Sequence, residues 1–464
     1  MTTTSLRGDR AFFGHPAGLG WLAFCELWER FSYYGMQGLL GLYAVNYLFM
    51  PEHIVNVSGM DSLRGAIEYF LGPRSVQQLG SMIFGIYAAF VYLTPIFGGL
   101  IADRWLGRTK TVTIGALLMA LGHFLMAFDV AFLWALVCLV VGVGCFKGNI
   151  AAQVGDLYAP EDKRRSRAFQ IFMLAVQIAV IAAPLVCGTL GEKVGWHWGF
   201  GSAGVGMLIG LVVYLTARPW LPPEAPRGKQ ARAARARLSS VEKKRLALLV
   251  AILPVLMLSI VGNQQFQNAF PLWSQKHMDL VLLGWQVPVT WLQAVDAAIS
   301  TVTMIGVIAF WRWWALHRRE PSDLVKMAIG CLIAALAPAA LILASQIAST
   351  GVKVSFIWTV IYSLINDIGF ANILPVGLAL YSRAAPRNMA GMVVGTYYLH
   401  LFAGNFFVGW LAGFLETLPG QSFWAMHALL VGAAGVLLLV VRALFGRVLE
   451  AEEEPAAAAV AQPA

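Results

Sequence analysis

Charged side chains are scarce in this chain. They make up 12% of its 464 residues, whereas about 25% is usual in a soluble globular protein. Hydrophobic residues make up 59%, and apolar runs close to twenty residues long recur along the whole length. A run of that length can cross the hydrocarbon core of a bilayer as a helix. The composition therefore excludes a soluble multidomain protein and predicts an all-α polytopic membrane protein.

Cysteine is also scarce, and no pair of cysteines has the spacing of a metal or redox motif. All five lie in apolar segments, and no C-x-x-C sequence occurs. A disulfide framework and a metal site are therefore not expected. The sequence also lacks H-E-x-x-H, paired intramembrane aspartates in a protease pattern and an activated nucleophile, so we do not expect an enzyme.

The apolar runs and the basic residues between them predict a topology. Lys and Arg come in short clusters in alternate connections, and the other connections contain few of them. Because basic residues accumulate in cytoplasmic loops, both termini are predicted to be cytoplasmic. These clusters explain the formal net charge of +9 without nucleic acid as a partner. The twelve predicted spans are 17–48, 78–103, 110–130, 131–154, 168–190, 197–217, 247–274, 286–316, 324–348, 354–382, 389–415 and 422–446.

One polar segment divides the predicted spans into two sets of six. Residues 219–246 are rich in Pro, Ala and Arg and are predicted to be a cytoplasmic linker. Residues 1–218 and 247–449 would then be the N-terminal and C-terminal six-helix halves, and residues 450–464 a disordered tail. Two similar halves around a central site are typical of secondary transporters.

The first predicted span contains three ionisable side chains within five residues. Glu26, Glu29 and Arg30 share one helix face, because their spacing follows the i, i+3, i+4 pattern. A charge at mid-membrane costs ~2.5–3.5 kcal/mol even on an insertion scale, so such groups usually face a polar interior. Lys147 lies within another apolar run, 132–154, and needs a carboxylate or a bound anion as its partner.

Two interpretations of these four side chains follow from their chemistry. Two acids and two bases cannot all be paired in every protonation state, which is the requirement of a proton-coupled anion-binding site. Protonation of one glutamate would free Lys147 or Arg30 to bind an anion, and deprotonation would expel it. The alternative is a structural ion-pair network that holds two helices together.

Several motifs carry a resemblance to known transporters. The sequence G-L-I-A-D-R-W-L-G-R at 99–108 resembles the cytoplasmic-loop signature of the major facilitator superfamily, and its charged residues are Asp103, Arg104 and Arg108. The sequence E-L-W-E-R-F-S-Y-Y at 26–34 resembles the E-x-x-E-R-F-x-Y-Y motif of the proton-dependent oligopeptide transporter family, also called the POT or PTR family. The sequence G-V-G-C-F-K-G-N at 142–149 is similar to that family's fourth helix.

The resemblance implies a major facilitator fold that imports di- and tripeptides with protons by alternating access. It implies no cofactor, a monomer in the lipid bilayer, and a plasma membrane location, the inner membrane of a bacterium. Glu26 and Glu29 would carry the proton chemistry, and Arg30 and Lys147 would orient the peptide carboxylate. The tyrosines expected in the pocket are Tyr33, Tyr34 and Tyr92.

The chain departs from the family pattern at two gate positions. The family usually has Arg where Gln37 stands and a Glu in the seventh helix near Asn263. If these positions form the cross-half gate, both charges have been replaced by neutral side chains. Loss of both charges together is expected, because either charge alone would be buried without a partner of opposite sign.

Further departures concern the position where the family binds the peptide amine. Phe370 replaces a tenth-helix Glu, Gln177 a fifth-helix Asn, and Asp296 an eighth-helix Asn. Asp367 lies one turn before Phe370. Asp296 and Asp367 could rebuild an amine site in shifted positions. Alternatively, the substrate has no free amine and is a modified peptide or another carboxylate-bearing solute.

A protein of another class could use the same fold. A receptor or an assembly factor that transports nothing would need no proton chemistry. The complete set of Glu26, Glu29, Arg30 and Lys147 therefore favours a transporter over such a protein.

Overall fold

A computed structural model describes residues 9–159, 162–222, 239–282, 284–386 and 389–449. Most of the predicted linker, 219–246, and all of the predicted tail, 450–464, lie outside the described residues. The described chain is almost entirely helical, with four strands of two residues each.

Eighteen α-helices follow one another along the described chain. Their bounds are α1 Ala17–Tyr43, α2 Pro51–Ile54, α3 Met60–Leu71, α4 Val76–Ile101, α5 Arg108–Leu125, α6 Phe132–Asp156, α7 Arg164–Ala183, α8 Trp196–Thr216, α9 Ser240–Ala251, α10 Leu253–Ser259, α11 Val261–Gln265, α12 Ala269–His277, α13 Trp291–His317, α14 Asp323–Ala348, α15 Ile357–Phe370, α16 Leu374–Ala384, α17 Ala390–Ala412 and α18 Gly420–Leu449. Turns of π-helix at 44–48, 102–106, 184–188 and 190–194 extend α1, α4 and α7.

Nine helical stretches of the described chain are long and apolar enough to cross a membrane. They correspond to nine of the predicted spans. The other three predicted spans are α1, α5 and the set α9–α12. α1 contains three charged side chains in its middle, α5 begins with two basic residues, and α9–α12 is interrupted three times.

The strands were not predicted, because each contains only two residues. β1, Met278–Asp279, pairs in parallel with β4, Val354–Ser355, and β2, Val281–Leu282, forms a hairpin with β3, Trp285–Gln286. The hairpin turn contains Gly284 at a φ of 79°, a conformation that glycine adopts without strain.

Two predicted spans are interrupted by breaks in the helix. The last of the α9–α12 breaks falls at 266–268, and α15 ends at Phe370, before Pro375 in the first turn of α16. Broken helices expose backbone carbonyls, which need partners inside a membrane. Tyrosine hydroxyls supply two of them: Tyr362 donates to the Gly262 carbonyl at 2.6 Å, and Tyr397 to the Leu374 carbonyl at 2.8 Å.

The apolar side chains form a core on each side of residues 223–238. One core runs from Leu19 to Tyr214 and a second from Leu249 to Leu449. We call residues 9–222 the N-terminal bundle and residues 239–449 the C-terminal bundle. A third apolar cluster joins Leu42 of the N-terminal bundle to α12 and α18, so the bundles share apolar contacts at one end.

We call this end, where α1 finishes and α13 begins, the closed end. Here α4 and α17 cross with backbones in contact, and a Cβ added at Gly85 would come within 2.6 Å of the Gly409 Cα. Further hydrogen bonds join the bundles: Lys276 Nζ donates to Gln77 at 2.9 Å, and Asn268 Nδ2 donates to the Ser81 carbonyl at 3.1 Å. Glycine is needed at positions 85 and 409, because a side chain there would collide with the backbone of the other helix where α4 and α17 cross.

The Glu192 carboxylate makes the most concentrated polar contact of the closed end. It accepts hydrogen bonds from the backbone N–H groups of Val289 and Thr290, both at 2.8 Å, and from the Thr290 hydroxyl at 2.7 Å. Beside it, Trp291 Nε1 donates to the Thr189 hydroxyl at 2.8 Å. A carboxylate of the N-terminal bundle therefore caps the start of α13 in the C-terminal bundle, where helix N–H groups lack partners.

The end opposite to the closed end differs in its polar contacts between the bundles. Among the residues that the structure describes, the hydrogen bonds between the bundles lie at the closed end or near mid-height, where Gln177 Nε2 donates to Thr301 Oγ1 at 2.7 Å. The charged groups of the opposite end pair within their own bundle, as Arg108 does with Asp156 and Arg383 with Asp323. In the described chain, the hydrogen bonds between the bundles are therefore concentrated at the closed end, with one near mid-height.

We expect removal of the Glu192 carboxylate to separate the bundles at the closed end. A hydrogen bond to a charged group contributes roughly 1.5–3 kcal/mol, and Glu192→Ala removes three of them. Spin labels at Val55→Cys and Val352→Cys, in a background without the native cysteines, should show a longer mean distance in this variant. Asp279→Ala is the matched control, because among the described residues the Asp279 side chain accepts a hydrogen bond only from the backbone of Val281, in the same bundle. Equal distances in both variants would contradict the role given to Glu192.

Candidate functional site

The centre of the bundle interface contains the three charges of α1. Small residues on α8 let α1 pack closely, since a Cβ added at Gly206 would come within 2.8 Å of the Phe31 ring. This packing buries Glu26 at 5% exposure, Glu29 at 0% and Arg30 at 3%. The three charges are therefore held away from lipid, as their position in an apolar span predicts.

The Arg30 guanidinium joins both glutamates. Its Nη2 donates to Glu29 Oε1 at 2.7 Å, its Nε donates to the other Glu29 oxygen, and its Nε lies 3.3 Å from Glu26 Oε1. Glu26 Oε2 is buried with no hydrogen-bond partner in the described chain. With both acids ionised, the trio would carry one uncompensated negative charge, and Glu26 has the oxygen that is free to accept a proton.

Lys147 faces the same interior from α6. α4 and α6 are in backbone contact where Gly98 meets Gly144, which places Lys147 beside α4. Its Nζ lies 5.1 Å from the centroid of the Tyr92 ring, a cation–π distance. No described carboxylate lies within the 4.0 Å of an ion pair, although Lys147 interacts electrostatically with Glu26 and Glu29. The direct pairing considered from the sequence is absent in this conformation, and the ammonium is available to an anion.

The three predicted tyrosines surround these cations. The Arg30 guanidinium lies 5.1 Å from the Tyr33 ring centroid, and the Tyr33 and Tyr34 rings meet edge to face at 5.0 Å. The Tyr34 hydroxyl lies beside Arg30, and Tyr92 lies beside Gln264 of α11 in the C-terminal bundle. The tyrosines thus connect the α1 charges to both bundles.

The two predicted aspartates of the C-terminal bundle lie on α13 and α15, which pack against each other. Asp296 on α13 and Asp367 on α15 lie close enough to interact electrostatically. Asn366 Nδ2 donates to Asp367 Oδ1 at 3.2 Å, and Ser363 lies beside Asp296. One oxygen of each carboxyl is buried with no hydrogen-bond partner among the described residues.

The remaining pocket and gate residues are dispersed. Gln177 is bound to Thr301, and Phe370 is half-buried at the end of α15. Gln37 and Asn263 form no hydrogen bond with each other in the described chain, and Gln37 Oε1 is buried without a hydrogen-bond partner there. Gln293 instead packs on α1, where a Cβ added at Gly38 would come within 2.6 Å of its Oε1.

The predicted loop motif lies at the end opposite to the closed end. Asp103 and Arg104 are exposed in the turn after α4, and Gly107 has a φ of 78°. Arg108 forms an ion pair with Asp156 at the end of α6. The motif therefore links α4–α5 to α6 by a charge contact.

Sequence reasoning missed several polar residues. Glu192 and Thr290 join the bundles, and Ser363 and Asn366 accompany the aspartates. Each is an ordinary polar residue near the end or the interior of a span, and its partner lies far away in the sequence. For Asn366 a signal was available, because it adjoins Asp367.

Comparison with known proteins agrees with this architecture. The model of the Major Facilitator Superfamily matches residues 42–408. The peptide transporter YePEPT of Yersinia enterocolitica is 30% identical over an alignment that covers 95% of this chain and 97% of the relative. A di-/tripeptide transporter of Lactococcus lactis is 26% identical, with 94% and 96% covered.

Solved structures are similar over the same length. A peptide transporter POT in complex with sulfate superposes with a TM-score of 0.81 at 26% identity, covering 96% of this chain and 98% of the other. A mutant of peptide transporter POT in complex with alafosfalin gives a TM-score of 0.80 at 26% identity with the same coverage. This chain is therefore an integral membrane protein that belongs to the POT family of peptide transporters within the major facilitator superfamily.

Proposed function

We propose that this protein is a proton-coupled symporter that imports di- or tripeptides, or peptide-like solutes, without changing them chemically. The proposal is carried by one arrangement of charges. In the buried α1 trio, Glu26 Oε2 has no hydrogen-bond partner in the described chain and can accept a proton. The nearby Lys147 ammonium has no ion pair in the described chain. Relatives named peptide transporter and di-/tripeptide transporter support the substrate class.

Proton coupling follows from the charge balance of the site. When Glu26 accepts a proton, the trio becomes neutral, and the positive charge of Lys147 is left to bind a peptide carboxylate. When Glu26 loses that proton, the trio regains a negative charge that competes with the carboxylate for Lys147. Because charges interact strongly in a low-dielectric interior, proton binding and carboxylate binding favour each other.

The proposed architecture has twelve spans, both termini in the cytoplasm and two six-helix halves at 1–218 and 247–449. Nine of these spans are the long apolar stretches of the described chain, and the other three are α1, α5 and the broken α9–α12. In the inner membrane of a bacterium, the closed end would face outward and the opposite end inward. The monomer would open alternately to the two sides of the membrane, by breaking contacts such as those of Glu192 and forming others at the cytoplasmic end.

Two possibilities remain for the end of the substrate that lies away from its carboxylate. In the first, Asp296 and Asp367 bind the peptide ammonium, which is supported by their unpartnered oxygens. In the second, the substrate has a carboxylate and no free amine, which is supported by Phe370 at the position where the family has a glutamate. The second would make the protein a transporter of N-blocked peptides or of other small carboxylates.

The substrate class can be tested in proteoliposomes with an inward proton gradient. A panel of di- and tripeptides should drive proton entry, reported by a dye inside the vesicles, in proportion to peptide uptake. Monodisperse protein that moves protons with small organic acids only would identify the carboxylate alternative. Protein that moves protons with none of these solutes would refute the proposal.

The α1 mechanism predicts different defects in two variants. Glu26→Gln should abolish uptake driven by the proton gradient, because the proton acceptor is lost, while peptide exchange without a gradient continues. Lys147→Gln should weaken peptide binding about 10- to 150-fold in both assays, the equivalent of roughly 1.5–3 kcal/mol for one charge-assisted hydrogen bond. Lys110→Gln, at an exposed lysine, is the control. Normal gradient-driven uptake in both variants would exclude this mechanism.

The amine site predicts selective loss of affinity. Asp296→Asn and Asp367→Asn should weaken binding of a free-amine dipeptide more than binding of its N-acetylated counterpart, because only the first has an ammonium to pair. Binding constants for both ligands in each variant provide the measurement. Equal losses for the two ligands would favour the substrate without a free amine.

A further inference from the structure

An apolar groove lies on the outside of the N-terminal bundle, between the first half of α1, the middle of α7 and residues 11–13. It has a volume of about 720 Å³, which is within the range of small-molecule sites. Phe24 contributes to its wall and precedes Glu26 by two residues, so the two side chains point about 160° apart around α1. The groove therefore lies on the side of α1 opposite to the charged trio and opens toward lipid.

The length and chemistry of the groove fit one acyl chain. Its side chains are apolar yet remain uncovered, since Phe24 is 47% exposed, Leu174 60% and Ile178 50%. From Arg167 to Ile178, α7 rises about 16 Å at 1.5 Å per residue. This length is close to half of the ~30 Å hydrocarbon core of a bilayer, so the groove has the reach of one leaflet.

Arg167 lies at the polar end of the face of α7 that forms the groove. Ile171, Leu174 and Ile178 contribute to the wall and follow Arg167 at i+4, i+7 and i+11, the spacing of one helix face. Arg167 is exposed and has no ion pair in the part of the chain that the structure describes. A guanidinium is therefore available where the apolar groove meets the membrane surface.

Arg164, one turn before Arg167, holds the segment before α1 over this end of the groove. Its guanidinium donates to the Asp9 carbonyl at 3.3 Å and to the Gly14 carbonyl at 3.2 Å. It also pairs with the carboxylates of Asp9 and Asp162, at 3.2 and 2.9 Å. Both of these acids are thus bound to Arg164, and Arg167 keeps its charge for another partner.

Phe13 forms part of the wall in a strained backbone conformation. Its φ of 49° is in the left-handed region, which a bulky residue seldom adopts. Two backbone hydrogen bonds between Phe12 and His15, at 3.0 and 2.8 Å, hold this turn, and Gly20 lets the Phe12 ring pack on α1. The Phe13 ring nevertheless remains 87% exposed. Strain that leaves an aromatic ring uncovered in a groove points to a ligand that contacts the ring.

We propose that this groove binds one anionic phospholipid, with an acyl chain along α7 and the phosphate at Arg167. The sequence has five basic and three acidic residues over 9–15 and 161–167, so the polar end has an excess of positive charge. Arginine binds phosphate through paired N–H donors, and basic pockets between transmembrane helices bind anionic headgroups on the cytoplasmic side. In the proposed orientation, this end of the groove is cytoplasmic. The site is separate from the peptide site and does not depend on the proposed function.

Native mass spectrometry of the delipidated full-length protein measures this binding. Wild type should bind one phosphatidylglycerol more tightly than one phosphatidylethanolamine, which has no net charge. Arg167→Gln should weaken phosphatidylglycerol binding about 5-fold, the equivalent of about 1 kcal/mol for one basic residue near an anionic lipid surface, and should leave phosphatidylethanolamine binding unchanged. Arg165→Gln is the matched control, because Arg165 Nη2 lies on the α6 side, within 3.1 Å of a Cβ added at Gly155.

Filling the groove tests the position of the acyl chain. Leu174→Trp should lower the binding of both lipids, whereas Leu117→Trp, at a similarly exposed leucine of α5, should not. In bilayers, phosphatidylglycerol with a photoreactive acyl chain should label wild-type α7 and residues 11–13, which requires no variant to fold.

Three results would overturn the site. They are equal affinity of wild type for the two lipids, equal phosphatidylglycerol binding by wild type, Arg167→Gln and Leu174→Trp, and photolabelling spread evenly over the lipid-facing helices. The first would identify a lipid groove without preference for an anionic headgroup.

Discussion

The burial of Arg30 between two glutamates on one helix is the constraint on which the rest of the molecule depends. A guanidinium and two carboxylates cannot face lipid, so α1 must lie at the bundle interface, with its other faces packed on α8 and the turn at 184–188. The trio also cannot be neutral by itself when both acids are ionised. Its excess charge requires a proton or a second cation, and Lys147, the cation that the fold brings near, is not paired with either glutamate in the described chain.

Among the described residues, the two bundles are held together without ion pairs between them. Glu192 binds backbone and hydroxyl donors, Lys276 binds Gln77, and Gly85 lies against Gly409. Hydrogen bonds between one charged group and neutral partners, together with close backbone packing, can be broken and remade at lower desolvation cost than a buried ion pair. Gln37 and Asn263, where a charged gate would be expected, fit the same pattern, because the closed end is held by partners on other helices.

Breaks in the helices place chemistry in the C-terminal bundle. The last break of α9–α12 and the end of α15 before Pro375 leave carbonyls that Tyr362 and Tyr397 satisfy. Asp367 lies in the last turn of α15, and Asp296 lies on the neighbouring α13; each has a carboxyl oxygen without a hydrogen-bond partner in the described chain. The N-terminal bundle thus concentrates acids with bases, and the C-terminal bundle concentrates acids alone. This asymmetry suits a zwitterionic ligand, whose carboxylate and ammonium need opposite partners.

The sequence by itself determined the membrane class, the approximate position of most spans and the charged face of α1, because these depend on local composition and helical periodicity. It also indicated Lys147, because an ionisable residue in an apolar run is conspicuous, whereas the two aspartates were indicated by the resemblance to the transporter family. Tertiary structure decided which of them meet. Lys147 lies on Tyr92 and pairs with neither glutamate of α1 in the described chain, the packing of α13 on α15 brings Asp296 near Asp367, and Glu192 caps α13 across the interface. Such contacts depend on how helices far apart in sequence cross and where they break, and periodicity within one helix contains no information about its partner.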